Sequence, residues 1–186
     1  ELFESDERLT ILEEIIRSEI EQKTNAQINY SWNIERKSGA VVIFCEHIAT
    51  VKNIHSLLTD GIFANMNFDA HYFQNPEDND EPLVQQNSDD IARELTKIGK
   101  KAIKRLQVLI CGRSLAEGHN MNWATHIVHW HMPTKAAEEL AQKNWRLDRR
   151  IGKEKTWATS NFNRTYNITY LINESKDSRY ELNKIY

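Results

Sequence analysis

Apolar residues in this chain recur in two alternating rhythms. Leu9, Leu12, Ile16 and Ile20 come every three or four positions, which is the spacing of one helix face. Ser5 or Asp6 supplies an amino-terminal cap for that helix. A polar linker then runs to about residue 38. The stretch "AVVIFC" over 40–45 is continuously apolar and β-branched, and is entered from Lys37, Ser38 and Gly39. It predicts a strand buried on both faces. From Thr50 the helical rhythm returns through Val51, Ile54, Leu57 and Leu58, and Gly61 marks the stop.

The alternation continues along the chain. "FDAHYF" (68–73) predicts a short strand, and "QNPEDNDEPLVQQN" (74–87) an exposed loop or insertion with two prolines and many acids. Ser88, Asp89 and Asp90 open a helix along Ile91, Leu95, Ile98 and Ala102 that ends on lysines, so its charges complement the helix dipole. "RLQVLIC" (105–111) and "HIVHWH" (126–131) predict two more strands. Pro133 and Thr134 start a further helix, and "YNITYLI" (166–172) is a last strand. Strands alternating with helices imply an α/β domain, its mostly parallel sheet covered on both faces. No internal repeat and no second domain is visible across residues 1–186. Glu1 in place of an initiator methionine suggests a piece of a longer chain.

Charge refines this picture. The formal net charge is −3, so the molecule as a whole does not attract polyanions. Between Lys52 and Arg93 no lysine or arginine occurs, while acids gather through residues 74–90; from Arg93 onward the chain turns basic. An anion site must therefore be local. Cys45 and Cys111 form no CxxC pair and read as free thiols of a reducing compartment, hence a cytoplasmic or nuclear protein. No apolar run reaches membrane-spanning length.

In open α/β sheets ligands gather beyond the carboxyl ends of the strands. Three stretches fall there: "FCEH" (44–47), "CGRSLAEGHNM" (111–121), and the helix carrying "QKNWRLDRR" (142–150). In that last stretch Gln142, Arg146 and Arg149 share one azimuth, since offsets of four and seven residues nearly close whole turns. Taken in order, the three stretches resemble motifs IV, V and VI in the second RecA-like domain of superfamily 2 helicases and translocases. "VLICGRSLAEGHNMNWATHIVHW" is similar to the Swi2/Snf2 form of motif V, with Arg113, Gly118 and Asn120 in place. "QKNWRLDR" matches Gln-x-x-Arg-x-x-Arg. The resemblance spans roughly residues 5 to 172.

The resemblance implies a RecA-like three-layer domain that completes an ATPase from across a cleft. Arg146 and Arg149 would be arginine fingers, with Gln142 positioning the γ-phosphate. Gly118 and Asn120 would form the turn that couples the nucleotide to nucleic acid. Arg113, Ser114, Glu46 and His47 are the candidate contacts to a nucleic-acid backbone, that of duplex DNA being the expected one. ATP and Mg²⁺ would be held mainly by an N-terminal RecA-like lobe of the same chain. No Walker A pattern occurs in the sequence, and Asp80-Glu81 sits in a polar loop rather than at a strand end. The isolated domain is thus expected to be inactive. The chain departs from the family pattern at Gly112, Trp145 and His131, and in the spacing after Arg149. The rival reading is a non-catalytic helicase-like module that binds DNA or a protein.

Plainer readings stand beside these. His129 and His131 share one side of a strand, but no cysteine nearby completes a tetrahedral set, so packed histidines rather than a metal site are expected. Trp123, Trp130 and Trp157 are expected in a core or interface rather than stacked on bases. The acidic stretch is expected to be solvated, a protein-binding insertion being the alternative.

Overall fold

The computed structural model describes residues 6–28, 39–73, 88–102, 104–112, 121, 123–131 and 167–171. Three helices, α1 (Glu7–Ile28), α2 (Ile48–Asp60) and α3 (Ser88–Lys101), accompany five strands: β1 (Ala40–Phe44), β2 (Phe68–Phe73), β3 (Leu106–Cys111), β4 (His126–His129) and β5 (Asn167–Tyr170). The strands form one parallel sheet in the order β2-β3-β1-β4-β5. This is the architecture of a RecA-like α/β lobe. The helix at 134–150, the linker to residue 38 and the loop at 74–87 lie outside the described residues.

Side chains alternate across the pleat, so the sheet feeds two separate cores. On one face Val41, Ile43, Val108, Ile110, Val128 and Trp130 meet α1 and α2 through Leu12, Ile16, Val51, Ile54 and Leu58. On the other, Val42, Phe44, Leu109, Cys111 and Ile127 meet α3 through Leu95 and Ile98. Every residue of β1 and β3 is buried, as central strands of a covered parallel sheet require. Cys45 and Cys111 are buried free thiols. Among the described residues no helix is long and apolar enough to cross a membrane.

Several boundaries differ from the sequence reading, α1 for one running on to Ile28 through residues read as linker. Helix α2 begins at Ile48 rather than Thr50: His47, extended at φ −112° and ψ 134°, takes the capping position, and Val51 N–H closes the first turn on its carbonyl. Thr50 faces the core instead of capping. Strand β4 ends at His129 rather than His131, although Trp130 N–H still reaches the Phe44 carbonyl at 2.9 Å. Gly61 stops α2 as expected, but its φ of −99° is not left-handed. A Cβ there would meet the Leu57 carbonyl oxygen at 2.6 Å, so glycine is needed for close approach.

Helix α1 carries a feature its apolar rhythm hides. Its buried stripe runs Leu9, Leu12, Ile16, Glu19 and Lys23, so its second half is polar. The Thr125 hydroxyl donates to Oε2 of Glu19 at 2.9 Å, and Nδ1 of His126 lies 3.2 Å from Oε1. Nε2 of His126 is in turn 2.8 Å from the Thr169 hydroxyl. Lys23 donates to the Ala102 carbonyl, and burial lowers its pKa. These bonds fasten α1 to the amino edge of the sheet across β4 and β5. Glu19→Ala should cost about 1–2 kcal/mol, because it leaves the buried Nδ1 of His126 without its partner, while the part-buried Thr125 hydroxyl can still donate to the Ala40 carbonyl at 3.1 Å. Glu19→Gln, which keeps one acceptor, should cost less; equal thermal midpoints for both variants and wild type would count against the anchor.

Candidate functional site at the carboxyl edge of the sheet

The carboxyl ends of β1, β3 and β4 lie side by side, and backbone pairing continues one residue past β1 and β5: Cys45 N–H to the Cys111 carbonyl at 2.9 Å, and Leu171 N–H to the His129 carbonyl at 2.9 Å. From β1 the chain turns toward the face covered by α1 and α2. Past β3, Met121 and Ala124 are instead buried on the α3 face. Connections therefore change direction at the end of β1, the position at which an open α/β sheet offers a crevice. Glu46 and His47 stand there.

A junction of three elements forms around them. Asp6 opens α1, accepting from the Arg8 backbone N–H at 3.0 Å. Its carboxylate also takes the Arg8 guanidinium in a two-point grip, with Nε 2.9 Å from Oδ1. Beside Arg8 the Asp6 carboxyl is held below its ordinary range, chiefly by the side-chain hydrogen bond and against partial burial. The same guanidinium lies 4.8 Å over the Trp130 ring and donates to the Trp130 carbonyl at 3.3 Å. Trp130 itself is fully buried, so the cation covers the outer side of a core residue.

His131 follows immediately. Its Nδ1 accepts from Glu46 N–H over a long 3.4 Å, and its ring meets the exposed His47 ring edge-on at 5.6 Å. Burial pushes its pKa down from 6.5 to about 4, helped by the positive Arg8 and by His47, and opposed by Asp6. The ring is thus neutral at physiological pH and free to accept at Nδ1.

That shift has a measurable consequence. The folded ring binds its proton more weakly than the unfolded one, so between pH 6.5 and about 4 the unfolded chain takes up more protons. Stability therefore falls as pH falls through this window, and the fall levels off below it. His131→Asn lacks the titrating ring. The thermal midpoint of wild type minus that of the variant should decline from neutral pH to pH 4. His55, whose pKa burial also lowers, is common to both proteins and cancels. A pH-independent difference would refute the account.

Of the residues singled out by sequence, the structure brings Glu46 and His47 together at the carboxyl edge, against His131. Arg113 and Ser114 follow directly on the buried Gly112 at the end of β3. Those two, with Gly118, Asn120, Gln142, Arg146 and Arg149, lie outside the described residues. So do residues 74–87; Asp90, at the start of α3, is exposed and sits 3.4 Å from Arg93. His129 and His131 make separate contacts. His129 is stacked between Phe44 at 5.7 Å and Tyr170 at 4.9 Å, in register across β1, β4 and β5. Among the described residues no group of three His, Cys, Asp or Glu side chains is arranged to hold a metal. Trp130 is in the core, and Trp123 packs against α3, where a Cβ on Gly99 would meet its indole at 2.7 Å.

The Asp6–Arg8–Trp130 contact was not expected from sequence. Its one signal was an arginine two residues after a capping acid, a pairing common on exposed helix ends.

No family model and no curated protein matches the chain. Among solved structures, the chain is similar to the C-terminal part of the Fun30 ATPase domain, with a TM-score of 0.52 and 11% identity. The match covers 88% of this chain and 44% of the other. The likeness is one of fold, and the chain spans less than half the length of that protein.

Proposed function

We propose that this chain is the C-terminal motor lobe of an ATP-dependent, Snf2-like translocase acting on duplex DNA. The observation that carries the reading is positional. The turn at Glu46 and His47 and the segment opening at Gly112 and Arg113 leave neighbouring carboxyl ends of one parallel sheet. The stretch with Gln142, Arg146 and Arg149 follows β4 in sequence. Order and topology thus agree with the motif resemblance, and the fold likeness to an ATPase C-terminal part agrees with both.

The β1–α2 connection supports a division of labour. It is three residues long and contains no glycine. A phosphate cradle needs a glycine-rich loop with free amides. ATP with its Mg²⁺ is therefore assigned to a partner lobe. Arg146 and Arg149 would approach the γ-phosphate from this side, and Gln142 would orient it. Guanidinium groups keep their charge and present two parallel donors, which suits them to phosphate oxygens gathering charge during transfer. Glu46, His47, Arg113 and Ser114 would meet the DNA backbone, positioning the duplex without reading sequence.

The test is ATP hydrolysis by the full-length protein with and without duplex DNA. Turnover stimulated by DNA is the expected result. A protein that binds DNA yet never hydrolyses ATP would be a binding platform instead.

A further inference from the structure

We propose that His131 is a positioning residue of the motor: by accepting the Glu46 N–H it ties the exit of β4 to the β1–α2 turn, so that the two move as one body. The inference rests on the function proposed above and names a coupling element within it.

The geometry makes this tie specific. The sheet ladder between these strands ends with Trp130 N–H on the Phe44 carbonyl, and the Cys45 N–H is still paired with β3. Glu46 N–H is the first amide past the ladder on β1, and helix α2 begins two residues later, at Ile48. The acceptor it finds is a side chain from the exit of the neighbouring strand. From the other side Arg8 fixes the same exit, through the Trp130 carbonyl and the face of its ring. In sequence His131 lies eleven residues before Gln142, with Arg146 and Arg149 following. Glu46 and His47 are the candidate contacts to DNA. A hydrogen bond joining two such exits lets a change at one be felt at the other, because packed, hydrogen-bonded elements shift together.

Neutrality of the ring is a requirement, since a protonated imidazole has no lone pair to offer at Nδ1. Burial keeps the proton off, helped by Arg8 and His47, which face the ring, with Asp6 the opposing charge. Asparagine sets its amide oxygen close to where Nδ1 stands and can accept the same N–H.

The experiment compares wild type, His131→Ala and His131→Asn in the full-length protein, reading the ratio of DNA-stimulated to basal ATP turnover. Amide hydrogen exchange at Glu46 is read alongside. Coupling of ordinary strength predicts a ratio lowered about fivefold or more in the alanine variant. Its basal turnover should be retained, its Glu46 amide should exchange faster, and the asparagine variant should restore both. An unchanged ratio in His131→Ala overturns the proposal. So does a parallel loss of basal and stimulated turnover with a lower melting temperature, which marks a merely structural role. Unaltered exchange at Glu46 also overturns it, whether or not the ratio moves. Wild type without any DNA stimulation removes the functional reading itself, and the coupling role with it.

Discussion

Full-length protein carrying Arg149→Ala is expected to lose DNA-stimulated ATP turnover by a factor of about 10³ or more. In phosphoryl transfer little covalent work falls to the protein. Catalysis is positioning and charge stabilisation, and a guanidinium delivered from across a cleft acts on the transition state more than on bound nucleotide. The loss should therefore appear in kcat, with nucleotide affinity changed far less. Arg149→Lys separates charge from geometry: it keeps the cation and forfeits the planar fork, and should fall between wild type and alanine. Arg150, one residue on and off the stripe, is the control, and its alanine variant should keep near-wild-type turnover. Undiminished turnover in Arg149→Ala with the fold intact would return these arginines to a solvated helix face. So would an equal loss in Arg150→Ala.

Sequence revealed those parts of the fold that rest on a repeating hydrophobic rhythm. β1 and β3 announce themselves because strands buried on both faces must be apolar without interruption, and Val41 to Phe44 and Val108 to Cys111 are. Leu95 and Ile98 likewise forecast which face of α3 meets the sheet. Strand order was not legible, since nothing in "HIVH" says that it pairs with β1 rather than β3. The polar half of the α1 stripe was hidden for a related reason. Glu19 and Lys23 continue the spacing of Leu9, Leu12 and Ile16, but charged residues read as solvent-facing until partners such as Thr125 and His126 are seen. At the carboxyl edge, Glu46 and His47 were found from their place after a strand. Arg8 and His131 were not given a role there, because their contacts join residues more than eighty positions apart.

Trp130→Ala should be the most damaging single change among the described residues, costing about 3–5 kcal/mol. The ring is fully buried in the core shared by α1 and α2, and removing it leaves a cavity that close-packed neighbours can fill only in part. For a chain of this size that corresponds to a fall in thermal midpoint of roughly 10 °C. The loss has a second component, because Arg8 stacks on this ring while donating to its own backbone carbonyl. Trp130→Phe keeps an aromatic face and most of the volume, and should cost clearly less than alanine. Arg8→Ala should destabilise the wild-type background by more than it destabilises Trp130→Ala. The difference, about 1 kcal/mol, measures the cation–ring contact. Additive effects would mean that Arg8 acts through Asp6 and the Trp130 carbonyl alone. A Trp130→Ala protein that melts with wild type would show that this residue is not the buried keystone the structure makes it.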